Sequence, residues 1–160
     1  MLNPKIIYDE KMRASKFEIG RINLEYAQDC ERVNQEMQAD IAYVTELAPV
    51  ERQDLKEKIR QVQQDWTIAT QGTVDAQQMI TARNHFEPQI KDLRDQLAAM
   101  ESALIKEVAR IKKEAAAKLQ QLHRDRMKKL EEVESFRKRA YAVYVSDLET
   151  YNKVQEGGEV

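Results

Sequence analysis

The sequence predicts an all-α protein, an elongated antiparallel helical hairpin, on three observations. Only four glycines and three prolines punctuate 160 residues. An all-β sandwich or barrel needs a turn signal every ~8–12 residues and is excluded, and a doubly wound α/β fold, which needs glycine-rich βα turns, is disfavoured. The composition is 34% charged and only 6% aromatic, the balance of long helices rather than of a thick globular core. Finally, apolar residues recur with a helical period over most of the chain.

The first arm is expected over about residues 5–70. Pro4 stands where a first-turn proline is tolerated. A stripe follows steps of three and four from Ile19 through Ile22, Tyr26, Cys30, Val33, Met37, Ile41 and Val44 to Ala48. It resumes after Pro49 as Leu55, Ile59, Val62, Trp66 and Ala69. Pro49 removes a backbone donor and crowds the preceding turn, so a kink is expected there. The alternative is a reversal at Pro49, which would give a compact three- or four-helix bundle.

Residues 71–88 are expected to form the tip, with a short helix over 74–86 between the breakers Gly72 and Pro88. The second arm is expected over 89–154, leaving Gly157-Gly158 in a flexible tail at 157–160. Its stripe steps by 3, 4, 4 from Leu97 to Leu148, and thirteen of its fifteen positions are apolar or aromatic. An eleven-residue repeat is ~3.67 residues per turn, close to the relaxed helix. The stripe is therefore expected to run nearly straight with a slight right-handed drift. At 1.5 Å per residue each arm is on the order of 100 Å long. One domain over 1–156 is expected.

Pairing centred near residue 80 places Trp66 against Leu93 and Leu97, and Tyr8, Met12 and Phe17 against Tyr141, Tyr144 and Tyr151. Arg126 and Arg137 interrupt the stripe. In this register Arg126 meets Glu31 or Glu36, and Arg137 meets Glu18 or Glu25. Such pairs set register more than they stabilise.

Charge is uneven although the total is only −2. Residues 106–139 carry twelve basic and six acidic side chains. Lys112, Lys113, Arg124, Lys128, Lys129, Arg137, Lys138 and Arg139 form a candidate patch for an anionic partner, nucleic acid included. The competing expectation is neutralisation by acids of the first arm, such as Glu18, Glu25 and Asp29, and it is preferred. A second candidate surface is the tip, where Val74, Met79, Ile80 and Phe86 exceed what a plain connection needs.

No catalytic, cofactor or metal signature is found. His123-Arg124-Asp125 matches three residues of a kinase catalytic loop, but the glycine-rich loop and the Asp-Phe-Gly are missing. Cys30 is the one cysteine, too few for a disulfide or a structural zinc site. His85 and His123 read as structural or solvated. No apolar run reaches the ~18 residues of a membrane span or the ~7–15 of a signal-peptide core, so the expected location is cytoplasmic or inside a macromolecular particle.

The expected shape resembles the coiled-coil stalk proteins of type III secretion and flagellar export, and the helical scaffolds of phage and virus particles. That resemblance covers the whole chain and carries no residue. It implies a non-enzymatic spacer, stalk or scaffold subunit that binds protein partners and self-associates. The alternatives are a nucleic-acid-binding helical protein using 106–139 and a regulatory adaptor docking through 71–88.

Overall fold

Helix α1 begins where an orphan backbone donor finds a side chain. The Asn3 carboxamide oxygen accepts from the Lys5 N–H at 3.0 Å, an N-cap, and Pro4 takes the first helical position. In the computed structural model, which describes residues 2–72 and 75–158, α1 runs from Pro4 to Thr70 without interruption. Gly72 then adopts φ +73°, the left-handed conformation that ends helices and that other residues reach only with strain. Asp75 restarts the chain, its carboxylate accepting from the Gln77 N–H at 2.9 Å. Helix α2 spans Ala76–Gly157. The all-α fold of two long helices packed together is thus as expected, and among the described residues there is no strand.

Of the three expected breakers only Gly72 ends a helix. Pro49 lies inside α1 and Pro88 inside α2. The chain does not reverse at Pro49, and residues 76–86, expected within a separate tip helix, are the first turns of α2. Pro88 removes the backbone donor to the Asn84 carbonyl; at the next carbonyl, that of His85, the Gln89 side-chain amide donates at 3.0 Å. Near Pro49 the Thr45 hydroxyl donates to the Ile41 carbonyl at 2.7 Å, the back-bonding that accommodates small bends.

Continuation through Pro88 shortens the connection and shifts the register. The expected pairing placed Trp66 against Leu93 and Leu97. Trp66 instead stacks on Phe86, with ring centroids 6.3 Å apart. The shift is about two turns along the partner helix.

By its internal contacts the chain divides into two compact units, 1–34 with 116–160, and 35–115. In the first, the helices run antiparallel and Ile22 and Ala140 are buried, as is Ser15 at 3% exposure. Tyr8 stacks on Tyr144 at 4.7 Å and meets Tyr141 edge-on at 6.1 Å. In the second, Ala48, Ile90, Ile111 and Ala115 are buried. No described side chain is fully buried, because one stripe per helix leaves every core residue near solvent.

Three expected core residues are corrected. Ala69 is exposed and Thr70 is half-buried in its place. Tyr141 is 57% exposed while Ala140 takes the inward position. Phe17 is 76% exposed, so it does not join the tyrosine cluster.

Gly20 sits in the interior of α1 with nothing within 4 Å of the position a Cβ would occupy. Gly20→Ala is therefore expected to stabilise the chain by about 0.5–1 kcal/mol, the gain from helix propensity alone. A rise in the urea midpoint followed by circular dichroism checks this. A fall would mean that another molecule approaches the helix at this point.

Candidate interaction surfaces

The stripe arginines form polar contacts between the helices of the first unit, with partners other than those expected. Arg137 Nε donates to the Ser15 hydroxyl at 2.8 Å, and Ser15 donates to the Met12 carbonyl at 2.8 Å. Arg126 Nε donates to the Asn23 side-chain oxygen at 3.0 Å. The Arg126 guanidinium also lies 4.8 Å from the Tyr26 ring centroid, a cation–π distance. The carboxylates expected for Arg137, Glu18 and Glu25, are both held by Arg21 of the same helix. The register shift explains the exchange: it carries Arg126 and Arg137 past the acidic positions to Asn23 and Ser15.

Tyr26 joins a small cluster with His123, ring centroids 6.4 Å apart. The neighbouring Cys30 side chain pushes the Tyr26 phenol above its ordinary value of 10.0, desolvation adds to this, and Arg126 opposes it. The raised value favours the neutral phenol in the folded chain. Its contribution to stability is complete below the ordinary phenol range and is lost as pH rises above it. Cys30→Ala is expected to bring the Tyr26 midpoint down toward that of free tyrosine. The difference in ultraviolet titration between each protein and its Tyr26→Phe derivative measures it, and an unmoved midpoint would assign the shift to another cause.

The basic block is not neutralised by cross-helix ion pairs as expected. Glu18 and Glu25 pair with Arg21, and Asp29 pairs with Arg32 at 3.3 Å, all along α1. Among the described residues, Lys112, Lys113, Arg124, Lys128, Lys138 and Arg139 are exposed and make no ion pair. Lys129 lies near enough to Glu18 to assist Arg21 in holding its carboxyl below the usual range. Lys112 and Lys113 belong to the 35–115 unit and the others to the 116–160 segment of the first unit.

At the tip, Met79 is 45% and Ile80 51% exposed. Phe86 is half-buried between Trp66 and the His85 ring, the latter 4.8 Å away and edge-on. It serves the hairpin itself. Val74 lies outside the described residues. Met79, Trp66, Thr70 and Ile90 line an open groove of about 760 Å³ rimmed by Glu87, Lys91, Arg94 and Asp95. Both signs of charge stand on that rim, so it selects neither an anion nor a cation.

Bulky apolar side chains also stand on the outer faces of the helices, off the single stripe that the spacing predicts. Phe17 and Leu24 in the first unit, and Tyr43, Leu47, Val50 and Ile105 in the second, are each at least half exposed. A count of apolar residues on the face away from the stripe would have found them.

Among the described residues no group of three or more His, Cys, Asp or Glu side chains is placed to hold a metal ion. Nor is any helix long and apolar enough to cross a membrane. No family model matches the chain, and neither a curated protein nor a solved structure is significantly similar to it.

Proposed function

We propose that this chain is a non-enzymatic structural or assembly protein, a coiled-coil spacer, stalk or scaffold subunit of a larger complex such as a phage or virus particle or a secretion-type apparatus. One observation carries the reading. The chain exposes 12237 Å² of accessible surface, whereas a globular monomer of 18.7 kDa exposes about 8,300 Å². That excess includes the outer apolar side chains, which gain stability only when something covers them. The 3-4-4 spacing read as a hendecad supports a nearly straight stripe with slight right-handed drift, suited to a spacer. On this reading the chain works in the cytoplasm or within the particle it helps to build, with protein partners and copies of itself.

Small-angle scattering in line with light scattering tests the proposal. A maximum dimension on the order of 100 Å, with a mass above that of one chain at high concentration, is expected. A monomer at all concentrations with a radius of gyration near ~15 Å, the value for a globular chain of this length, would sink it.

The absence of ion pairs on the basic side chains favours a second reading, binding to an anionic polymer such as nucleic acid. It calls for a mobility shift on mixed-sequence DNA that weakens steeply with salt and is lost on charge reversal at the exposed Arg124, Lys128, Lys138 and Arg139. No shift at low salt would remove it.

A further inference from the structure

Between Arg32 and Arg52 the sequence contains no lysine or arginine, while Glu36, Asp40, Glu46 and Glu51 fall in that interval. Arg52, which ends it, is bound to Glu101 of α2 at 3.4 Å. The four carboxylates are exposed, and among the described residues none has an ion-pair partner. This stretch of α1 presents one apolar face to α2 through Ile41, Val44 and Ala48, which are half-buried or buried. It presents a second through Tyr43, Leu47 and Val50, which are 67%, 50% and 71% exposed. Their spacing of i, i+4, i+7 aligns them along one side of the helix.

We infer that this face of α1, residues 36–54, docks a basic amphipathic helix of a partner protein. The inference deepens the assembly reading above and rests on it for the existence of a partner. An apolar i, i+4, i+7 row is what the matching row of another helix packs into. The carboxylates decide which helix. Asp40 and Glu51 flank the row on one side and Glu46 on the other, with Glu36 at one end and Asp54, already paired with Lys58 at 3.5 Å, at the other. Lysines or arginines bordering the incoming apolar row meet opposite charge on both sides. A second copy of this face would set carboxylates against carboxylates, which opposes symmetric self-pairing here. Phosphate backbones and anionic lipid surfaces are repelled for the same reason.

The probe is a labelled synthetic eighteen-residue Leu/Lys peptide with leucines at i, i+4, i+7 and i+11, titrated by anisotropy against the full chain. A Leu/Glu peptide of the same pattern is the control. Binding of the Leu/Lys peptide alone is expected, weakened at least tenfold by Leu47→Asp and by Tyr43→Glu. The double substitution Glu46→Gln with Glu51→Gln is expected to weaken it several-fold and flatten its salt dependence. Phe17→Asp, on exposed apolar surface elsewhere, leaves it unchanged. Circular dichroism of each variant confirms that the helices persist. The proposal is overturned if Leu47→Asp and Tyr43→Glu bind as well as the parent, if the Leu/Glu peptide binds equally, or if the parent binds neither peptide. It is also overturned if Leu47→Asp dissolves a self-assembled species by light scattering while peptide binding is unchanged. A compact monomer that still binds through this face would remove the assembly role alone. An extended oligomer that does not would remove the docking face alone.

Discussion

Ile22→Ala and Ile111→Ala are each expected to lower the unfolding free energy by about 2–3 kcal/mol, the lower part of the range for large-to-small core substitutions. Ile22 is 4% and Ile111 7% exposed, the most enclosed bulky side chains of their respective units together with Ile90. The loss combines the transfer free energy of the deleted carbons with a cavity term. The cavity term is small here because the surrounding stripe residues are only half-buried and can relax toward the gap. Phe17→Ala and Leu24→Ala serve as controls. Their side chains are 76% and 59% exposed, and each change should stay within about 0.5 kcal/mol. Urea unfolding followed by helicity measures all four. If Ile22→Ala costs no more than Leu24→Ala, the face of α1 that packs on α2 is wrongly assigned.

Arg137→Ala is expected to cost about 2 kcal/mol, and Arg137→Met less, by the apolar cover that its side chain retains. The Arg137–Ser15 bond has a charged donor, for which about 1.5–3 kcal/mol is usual. Arg137 is half-buried, so its alkyl stem also covers apolar surface. Methionine keeps most of that cover while removing the charge. Ser15 is 3% exposed, and its hydroxyl both accepts from Arg137 and donates to Met12. Ser15→Ala therefore removes the acceptor and frees the Met12 carbonyl for its helical donor alone. A double-mutant cycle between the two positions should give a coupling of about 1 kcal/mol. If Arg137 also fixes the register, Arg137→Met should admit a second alignment of the helices. Spin-label distances across the first unit would show two populations. A single unchanged distance would leave the arginine a stabilising role and remove the register role.

The outward sequence pattern was sufficient to place most inward side chains. Ile22, Val33, Ile41, Ile59, Leu104 and Ile111 were each read from spacing, and each is buried or half-buried. Helical periodicity reports which side of a helix is apolar, and that side must be covered. The same logic fails at the ends of a stripe, where one residue of drift exchanges Ala69 for Thr70 and Tyr141 for Ala140.

The candidate surfaces were less legible. The basic block was visible as a run of residues, but whether its charges were cancelled depended on where the acids pointed. Arg21 and Arg32 capture Glu18, Glu25 and Asp29 within one helix, because partners three and four residues apart meet without any help from tertiary structure. The acidic face around Tyr43, Leu47 and Val50 was overlooked because these residues lie off the main stripe. It became a distinct surface only when Ile41, Val44 and Ala48 were seen to be engaged elsewhere.

Composition and periodicity by themselves determined that the chain is all-α, that two long helices pack together, and that the chain turns somewhere within 71–88. These are local properties, settled by propensity, by turn chemistry and by the 3.6-residue repeat. The tertiary structure alone decided the register. Proline carries an intrinsic cost to a helix, and from sequence that cost marks a break at Pro88. The packing of Phe86 against Trp66 and of Ile90 into the core holds the helix through Pro88, since burial on both sides of a proline outweighs the backbone bonds it forfeits. Removing that one break moved the turn toward Gly72 and carried Arg126 and Arg137 to new partners. Register is the relation between two helices, and neither helix encodes it alone.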